Sequence, residues 1–332
     1  MVITPALQQA LQVLFFEFEN RFWLNYSAAP SWYDRICTTI PTGTQQVLFP
    51  WIGMLDKFRL WTGSRIVHQP APQTYLVTTQ PFELTESLDQ FKVDDDTTGV
   101  YSPTVTFMGI QAKKWPDYQV RDLLKNQGAW TGAPQTGPDG IAFWSTVHPV
   151  DFYDASKGTY CNDFTGGGFT VNGIPTGGAL NVNPFATLWQ EFASRKSESG
   201  EPLGLIADLT ACAPQLNITA MTILNAQFFA PSVIGNIGTG TASVGATENM
   251  LKGSTDLLMV QDWAADPSVW YMFDTKKPLK PLLWVQRYAP DFTYRIRPDD
   301  PIVFDTHTFV YGSKARGAPA WSLPWLSARS GP

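Results

Sequence analysis

The stretch from Pro81 to Gly128 constrains this chain most. It reads as a strand, an acidic turn, and a helical run spanning about residues 99–128. Within the run, Val105, Met108, Ala112, Trp115, Gln119, Leu123 and Leu124 recur on one face at helical spacing. Pro116 lacks a backbone donor, so the run is either one bent helix or two in line. Asp94, Asp95 and Asp96 precede it. A calcium loop fails there, because Thr98 stands at the fifth ligand position and Val105 at the closing Glu. The acids instead suit a helix N-terminus, where negative charge is favoured. A run this long and this lightly charged suggests a beam laid across a sheet, an architectural element rather than a catalytic one.

What surrounds the beam is poor in charge and rich in rings. Charged residues are 16% of the 332, below the quarter or so of an ordinary soluble domain. Aromatics are 14% and include 13 Trp. Such a chain either builds a large aromatic core or hides surface against partners, where aromatics gather and Lys and Glu are depleted. Its length favours two lobes. The net charge of −6 argues against a grip on nucleic acid, which needs basic residues, but allows a wall that encloses it. Cys37, Cys161 and Cys212 lie far apart, which excludes a disulfide framework and fits a reducing compartment. Glu17 and Glu19 among the first apolar residues, with no basic lead, are unlike a signal peptide. No apolar run reaches spanning length, so no membrane partner is expected.

Thr4 and Pro5 open an N-terminal helix whose apolar residues are Leu7, Leu11, Leu14, Phe18 and Phe22, and Ser27 to Pro30 closes it. That helix must lie on its own core or on a neighbouring subunit. Residues 41–80, punctuated by Pro and Gly, read as a long irregular hairpin. Trp51, Phe58 and Trp61 on such an arm need a docking surface, because burying one large apolar side chain is worth about 1.5–3 kcal/mol. Residues 74–93 alternate as a strand, and 130–182 are Gly-rich. Asn183 and Pro184 open a helix with Phe185, Leu188, Trp189 and Phe192 inward. Strands are expected at 202–209, 254–260, 268–273, 282–288, 292–296 and 302–311, a helix at 214–229, and a surface loop at 235–247.

Motifs that carry chemistry are mostly absent from the sequence. Gly240 to Gly245 has phosphate-loop spacing, but Ala246 and Thr247 stand where Lys and Ser/Thr belong. No G-x-S-x-G or H-E-x-x-H occurs. Of the three histidines, only His148, near Asp151 and Cys161, suggests a hydrolase, and its place before Pro149 equally suits a structural role. Lys276, Lys277, Lys280, Arg287, Arg295 and Arg297 interleave with Trp284, Tyr288 and Tyr294. That pattern suits a nucleic-acid face, a solvated strand face or a subunit contact. No cofactor, metal or catalytic residue is expected.

Several blocks together resemble the major head subunit family of Mu-like phages and prophages. They are Val2-Ile3-Thr4-Pro5-Ala6, Trp51-Ile52-Gly53 with Arg59 to Arg65, Phe82-Glu83-Leu84-Thr85, Gly99-Val100-Tyr101, Pro116-Asp117 with Leu123-Leu124, and Phe143 with His148-Pro149. Trp270-Tyr271 with Asp274-Thr275, Pro278 to Leu282, and Tyr311-Gly312 with Ala315-Arg316 complete the series. The chain departs from the family pattern at Leu60 and Trp115.

The resemblance implies the α+β major capsid protein fold of tailed phages and herpesviruses. It assigns residues 1–40 to an N-terminal arm, 41–80 to an extended β-hairpin loop, 81–132 and 272–332 to a peripheral domain with a long spine helix, and 133–271 to an axial domain. It implies a non-enzymatic protein of the virion capsid, assembled in the bacterial host cytoplasm into pentamers and hexamers of an icosahedral head. Its partners would be itself, neighbouring capsomers, portal and scaffold proteins, and packaged double-stranded DNA held without sequence-specific binding. Subunit-interface residues would be Trp51, Phe58, Trp61, Arg65, Phe18, Phe22, Trp321 and Trp325. Two alternatives stay open: an aromatic-rich carbohydrate-binding or tail-fibre-like module, and a hydrolase built around His148.

Overall fold

In the computed structural model, which describes residues 5–50, 61–63, 74–94, 101–126, 136–151, 154–171, 174–229, 247–263, 267–297 and 299–332, the beam is one helix. Pro116 sits inside it without ending it. Two long helices lie side by side: α1 (Pro5–Ala28) and the spine, α2 (Ser102–Asn126). Phe22 meets Gly109, Tyr26 lies under the Lys113 ammonium at 5.4 Å, and Tyr33 meets Asp117, so the two run in the same direction. Gly109 is required at the crossing, since a Cβ there would stand 2.5 Å from the Phe22 carbonyl oxygen. No acidic residue stands in the first turn of α2, and Asp95 and Asp96 lie outside the described residues. No helix among the described residues is long and apolar enough to cross a membrane.

The spine crosses a sheet built from β1 (Cys37–Pro41), β4 (Gln80–Asp89), β9 (Leu282–Tyr288), β10 (Thr293–Arg295) and β11 (Thr308–Trp321). The order is β1-β9-β11-β10, and β4 runs antiparallel along β11 from Thr308↔Asp89 to Gly317↔Gln80. Between β1 and β4, β2 (Gln46–Pro50) and β3 (Thr74–Thr78) form the base of the long hairpin. That base is packed, not free. Tyr75 and Val77 are buried, and the Tyr75 hydroxyl accepts from the Trp321 backbone N–H at 2.7 Å.

A second sheet has the order β7-β6-β8-β12-β5. Its strands are β5 (Asp163–Thr165), β6 (Leu209–Cys212), β7 (Asp256–Met259), β8 (Trp270–Phe273) and β12 (Ser327–Gly331). It is backed by α3 (Val182–Ser194), capped by Asn181, and α4 (Asn217–Asn225). Residues 202–208 carry only an isolated bridge at Pro202, and the strand begins at Leu209. The expected strand over 302–311 begins only at Thr308. Asp300 caps a short helix, α5 (Pro301–Thr306), with Pro301 in its first turn, and His307 ends it with a left-handed φ of 51°.

The C-terminal segment corrects the expected division. Residues 322–332 do not stay with the first sheet. They cross over, and β12 inserts between β8 and β5 of the second. Three apolar clusters result. One holds α1 and the first half of the spine on β11 through Phe15, Phe18, Phe22, Val105, Met108 and Tyr311. A second joins the sheets through Leu123, Phe143, Tyr271, Trp284 and Trp321. A third lies under α3 and α4 around Phe185, Phe192, Trp270 and Leu326.

Candidate functional site

His148 is fully buried, and both ring nitrogens face acceptors. Nδ1 lies 2.5 Å from Asp139 Oδ2, and Nε2 lies 2.9 Å from the Phe143 carbonyl and 3.2 Å from Asn162 Oδ1. Tyr160 stacks on the ring with centroids 5.1 Å apart. Asn162 carries the network outward, donating to Phe143 O at 2.7 Å and to Pro324 O at 3.4 Å. A general base needs a nitrogen aimed at space where substrate can sit. Here each nitrogen holds a piece of backbone or a fixed side chain. Asp151 accepts from the Asp154 backbone N–H at 3.3 Å, and burial pushes the nearby Cys161 thiol up to about 12, away from the thiolate a nucleophile needs. The node is a staple between the 137–162 loops and the C-terminal segment. The hydrolase reading has no geometric support.

A second staple holds the same segment. Arg195 pairs with Glu191 through Nε–Oε1 at 3.1 Å and Nη2–Oε2 at 3.0 Å. It also donates to the carbonyls of Trp325 at 2.8 Å, Ser327 at 3.0 Å and Cys161 at 3.0 Å. Paired and bonded in this way, a buried charge can be tolerated. Arg329 meets Asp163 at 2.7 Å. Burial alone would raise the Asp163 pKa, but the Arg329 bond and charge, with Thr165, outweigh it and hold the carboxyl below its usual range. Among the described residues, no group of three or more His, Cys, Asp or Glu side chains could hold a metal.

The surfaces open to partners differ from those expected. Phe18, Phe22, Trp321 and Trp325 are all buried inside the chain, so the interface reading is corrected for them. Phe18 and Phe22 form the inner face of α1 against β11 and the spine, and Trp321 stacks on Phe143 with centroids 4.1 Å apart. Trp325 anchors the segment that Arg195 holds. Trp51, Phe58 and Arg65 lie outside the described residues, whereas Trp61 is 68% exposed. The 235–246 part of the expected loop also lies outside them.

Sequence reasoning missed a second stripe on α1. Val13, Phe16, Trp23 and Leu24 project from the side opposite Phe15, Phe18 and Phe22, and all four are exposed. The signal was present, because a helix apolar on two sides has more to cover than one core can take. A second exposed group, Ile218 and Met221 on α4 with Phe228 and the 96%-exposed Met250, flanks residues 230–246. Of the interleaved basic residues, Arg287 lies over the Tyr288 ring at 5.4 Å, and three others make local polar contacts. Lys277 donates to Gly204 O at 2.8 Å, Lys280 Nζ to Asp34 O, and Arg295 lies 3.9 Å from Asp300.

The chain can be compared with known proteins. The sequence model of the family described as Mu-like prophage major head subunit gpT matches residues 11–171 and 247–331. The chain is 23% identical over 328 residues to the major capsid protein of Escherichia phage Mu, covering 99% of this chain and 74% of that protein. It is 29% identical over 149 residues to the Mu-like prophage FluMu major head subunit of Haemophilus influenzae, covering 45% of this chain and 46% of that one. Among solved structures it is similar to a chain of the procapsid of bacteriophage JBD30, with a TM-score of 0.54 and 26% identity, over 99% of this chain and 76% of that chain. A chain of the mature capsid of bacteriophage PhiM1 shares the fold alone, with a TM-score of 0.51 and 10% identity, over 91% of this chain and 87% of that one. The architecture is the α+β capsid fold of tailed phages.

Proposed function

The chain belongs to the Mu-like prophage major head subunit family, a structural component of the virion, and from that premise we propose that copies of it close into the pentamers and hexamers of an icosahedral head. The family match over both the spine region and the C-terminal strands carries the reading. In this reading the first sheet and the spine make the peripheral domain, the second sheet makes the axial domain, and the hairpin of 41–80 reaches a neighbouring copy. The head encloses double-stranded DNA, and a net charge of −6 keeps the wall from adhering to its cargo. Portal and scaffold proteins complete the particle, assembly takes place in the bacterial host cytoplasm, and the chain does no catalysis.

Head-to-tail contacts close into rings when the rotation allows it. The anchors we assign are Trp51, Phe58, Trp61 and Arg65 on the hairpin, and Val13, Phe16, Trp23 and Leu24 on α1. Each large apolar side chain covered contributes about 1.5–3 kcal/mol, and many modest contacts add up through effective concentration.

The test removes the reach of the hairpin without touching its base. Pro50 pairs with Thr74, and Tyr75 and Val77 belong to the core, so the deletion spans residues 51–73 with an Asn-Gly turn in their place. The shortened chain is expected to stay soluble and folded by circular dichroism and to form no closed shells in electron micrographs. Normal shells from it would remove the hairpin from assembly.

A further inference from the structure

α1 ends at Ala28, and the chain reaches β1 at Cys37 through a short joint that includes the helical turn Tyr33–Ile36. One carboxyl group on the spine holds that joint. Asp117, directly after Pro116, accepts from Ser31 Oγ at 2.9 Å, from the Trp32 N–H at 3.1 Å and from the Tyr33 N–H at 2.8 Å, all on Oδ1. The residue is 1% exposed, and its Oδ2 is sealed from solvent with no hydrogen-bond partner. Buried polar atoms are as a rule bonded, so a carboxyl oxygen without a donor stands out. An ionised carboxylate in such a place costs far more than a neutral acid.

The groups around Asp117 give it no compensating cation. Asp262, in the turn Gln261–Trp263, accepts from Trp32 Nε1 at 3.5 Å and adds like charge. From β1 comes the buried Cys37 thiol, itself pushed up by burial. On the joint, Arg35 is drawn to Asp256 at 3.7 Å, and the Asp34 carbonyl takes the Lys280 ammonium. Arg121, one turn along the spine, is paired with Asp122 at 2.7 Å.

We propose that Asp117 is a proton-controlled latch on the joint between the N-terminal helix and the first sheet. With a proton on Oδ2 the joint stays docked on the spine; when that proton passes to solvent, the joint loosens and the carboxylate hydrates. Burial pushes the Asp117 carboxyl above the ordinary aspartate range, and the bonds from Tyr33, Ser31 and Trp32 offset only part of that. The docked joint therefore binds the proton better than the open one. Docking is strongest below the ordinary aspartate range, near pH 4, and weakens progressively as pH rises to the raised value. The latch acts within one chain, so its test is independent of shell formation.

The experiment is amide hydrogen exchange of Trp32 and Tyr33, corrected for the intrinsic rate, from about pH 4 to pH 8. Protection in the unaltered chain is expected to fall about tenfold for each unit by which the carboxyl is raised, then level off. Asp117→Asn, which keeps an acceptor at Oδ1 and cannot ionise, should be protected with no such slope. Asp262→Asn, which removes the like charge, should move the levelling point to lower pH. Flat protection in the unaltered chain, the same slope in Asp117→Asn, or an unmoved levelling point in Asp262→Asn would each overturn the latch.

Discussion

Gly109 shows how a single atom fixes the position of a helix. Any side chain at this position drives a Cβ into the Phe22 carbonyl, so α1 must lift off the spine or the spine must bend. Gly109→Val is expected to cost about 1–3 kcal/mol, the range for overpacking, read as a lowered denaturation midpoint. His148 makes the opposite case, because here it is removal that does harm. His148→Ala leaves Asp139 buried beside a hole, and a loss of about 3–5 kcal/mol in thermal unfolding is expected. Asp163 supplies a pH dependence. Its pKa is lowered in the folded chain, so the stability it contributes is present above the ordinary aspartate range and disappears as pH falls through the lowered value. Arg329→Met should cost about 1.5–3 kcal/mol at neutral pH, the range for bonds to charged groups, and much less in acid. Equal losses at both pH values would mean that the pair is not the source.

The elements that sequence revealed are those whose pattern is local. The α1 period and the spine period were visible because burial repeats along one helix face, and the spine's continuity through Pro116 follows from what packs on both sides of it. What could not be read was which surface covers a given stripe. Phe18 and Phe22 satisfy the same spacing whether they face β11 or a neighbour, and only tertiary contacts decide. The phrase Pro298 to Pro301 was legible as a turn, yet its Asp-Pro pair also caps a helix, and that use took residues 301–306 from the expected strand. The crossing of β12 into the second sheet leaves no local mark at all, since Ser327–Gly331 has few apolar residues and its strand is defined by its neighbours. That crossing makes a prediction at the scale of the element. Truncation after Ser322 removes the strand between β8 and β5 and leaves Arg195 without two of its carbonyl partners. The shortened chain should be recovered as insoluble or protease-sensitive material. A soluble truncation with an unchanged melting temperature would show that the second sheet stands without it.

At the scale of the whole molecule, two sheets share one cluster of rings, and the C-terminal crossing fastens them together. Outside that shared core, the N-terminal helix keeps one apolar face uncovered. In the proposed assembly, that face and the hairpin tip are the parts assigned to contacts with other copies. Phe16→Glu with Trp23→Glu changes only exposed positions, so the helical signal should persist while particles are lost. If both the fold and the particles survive, the outer stripe of α1 is not a contact. The most direct measurement is the mass of the intact chain in solution, by sedimentation with negative-stain imaging of the same sample. Rings or closed shells, many times the 36.9 kDa of one copy, are expected. A folded species that stays at 36.9 kDa as concentration rises would contradict the claim that this chain is built to be finished by its own kind.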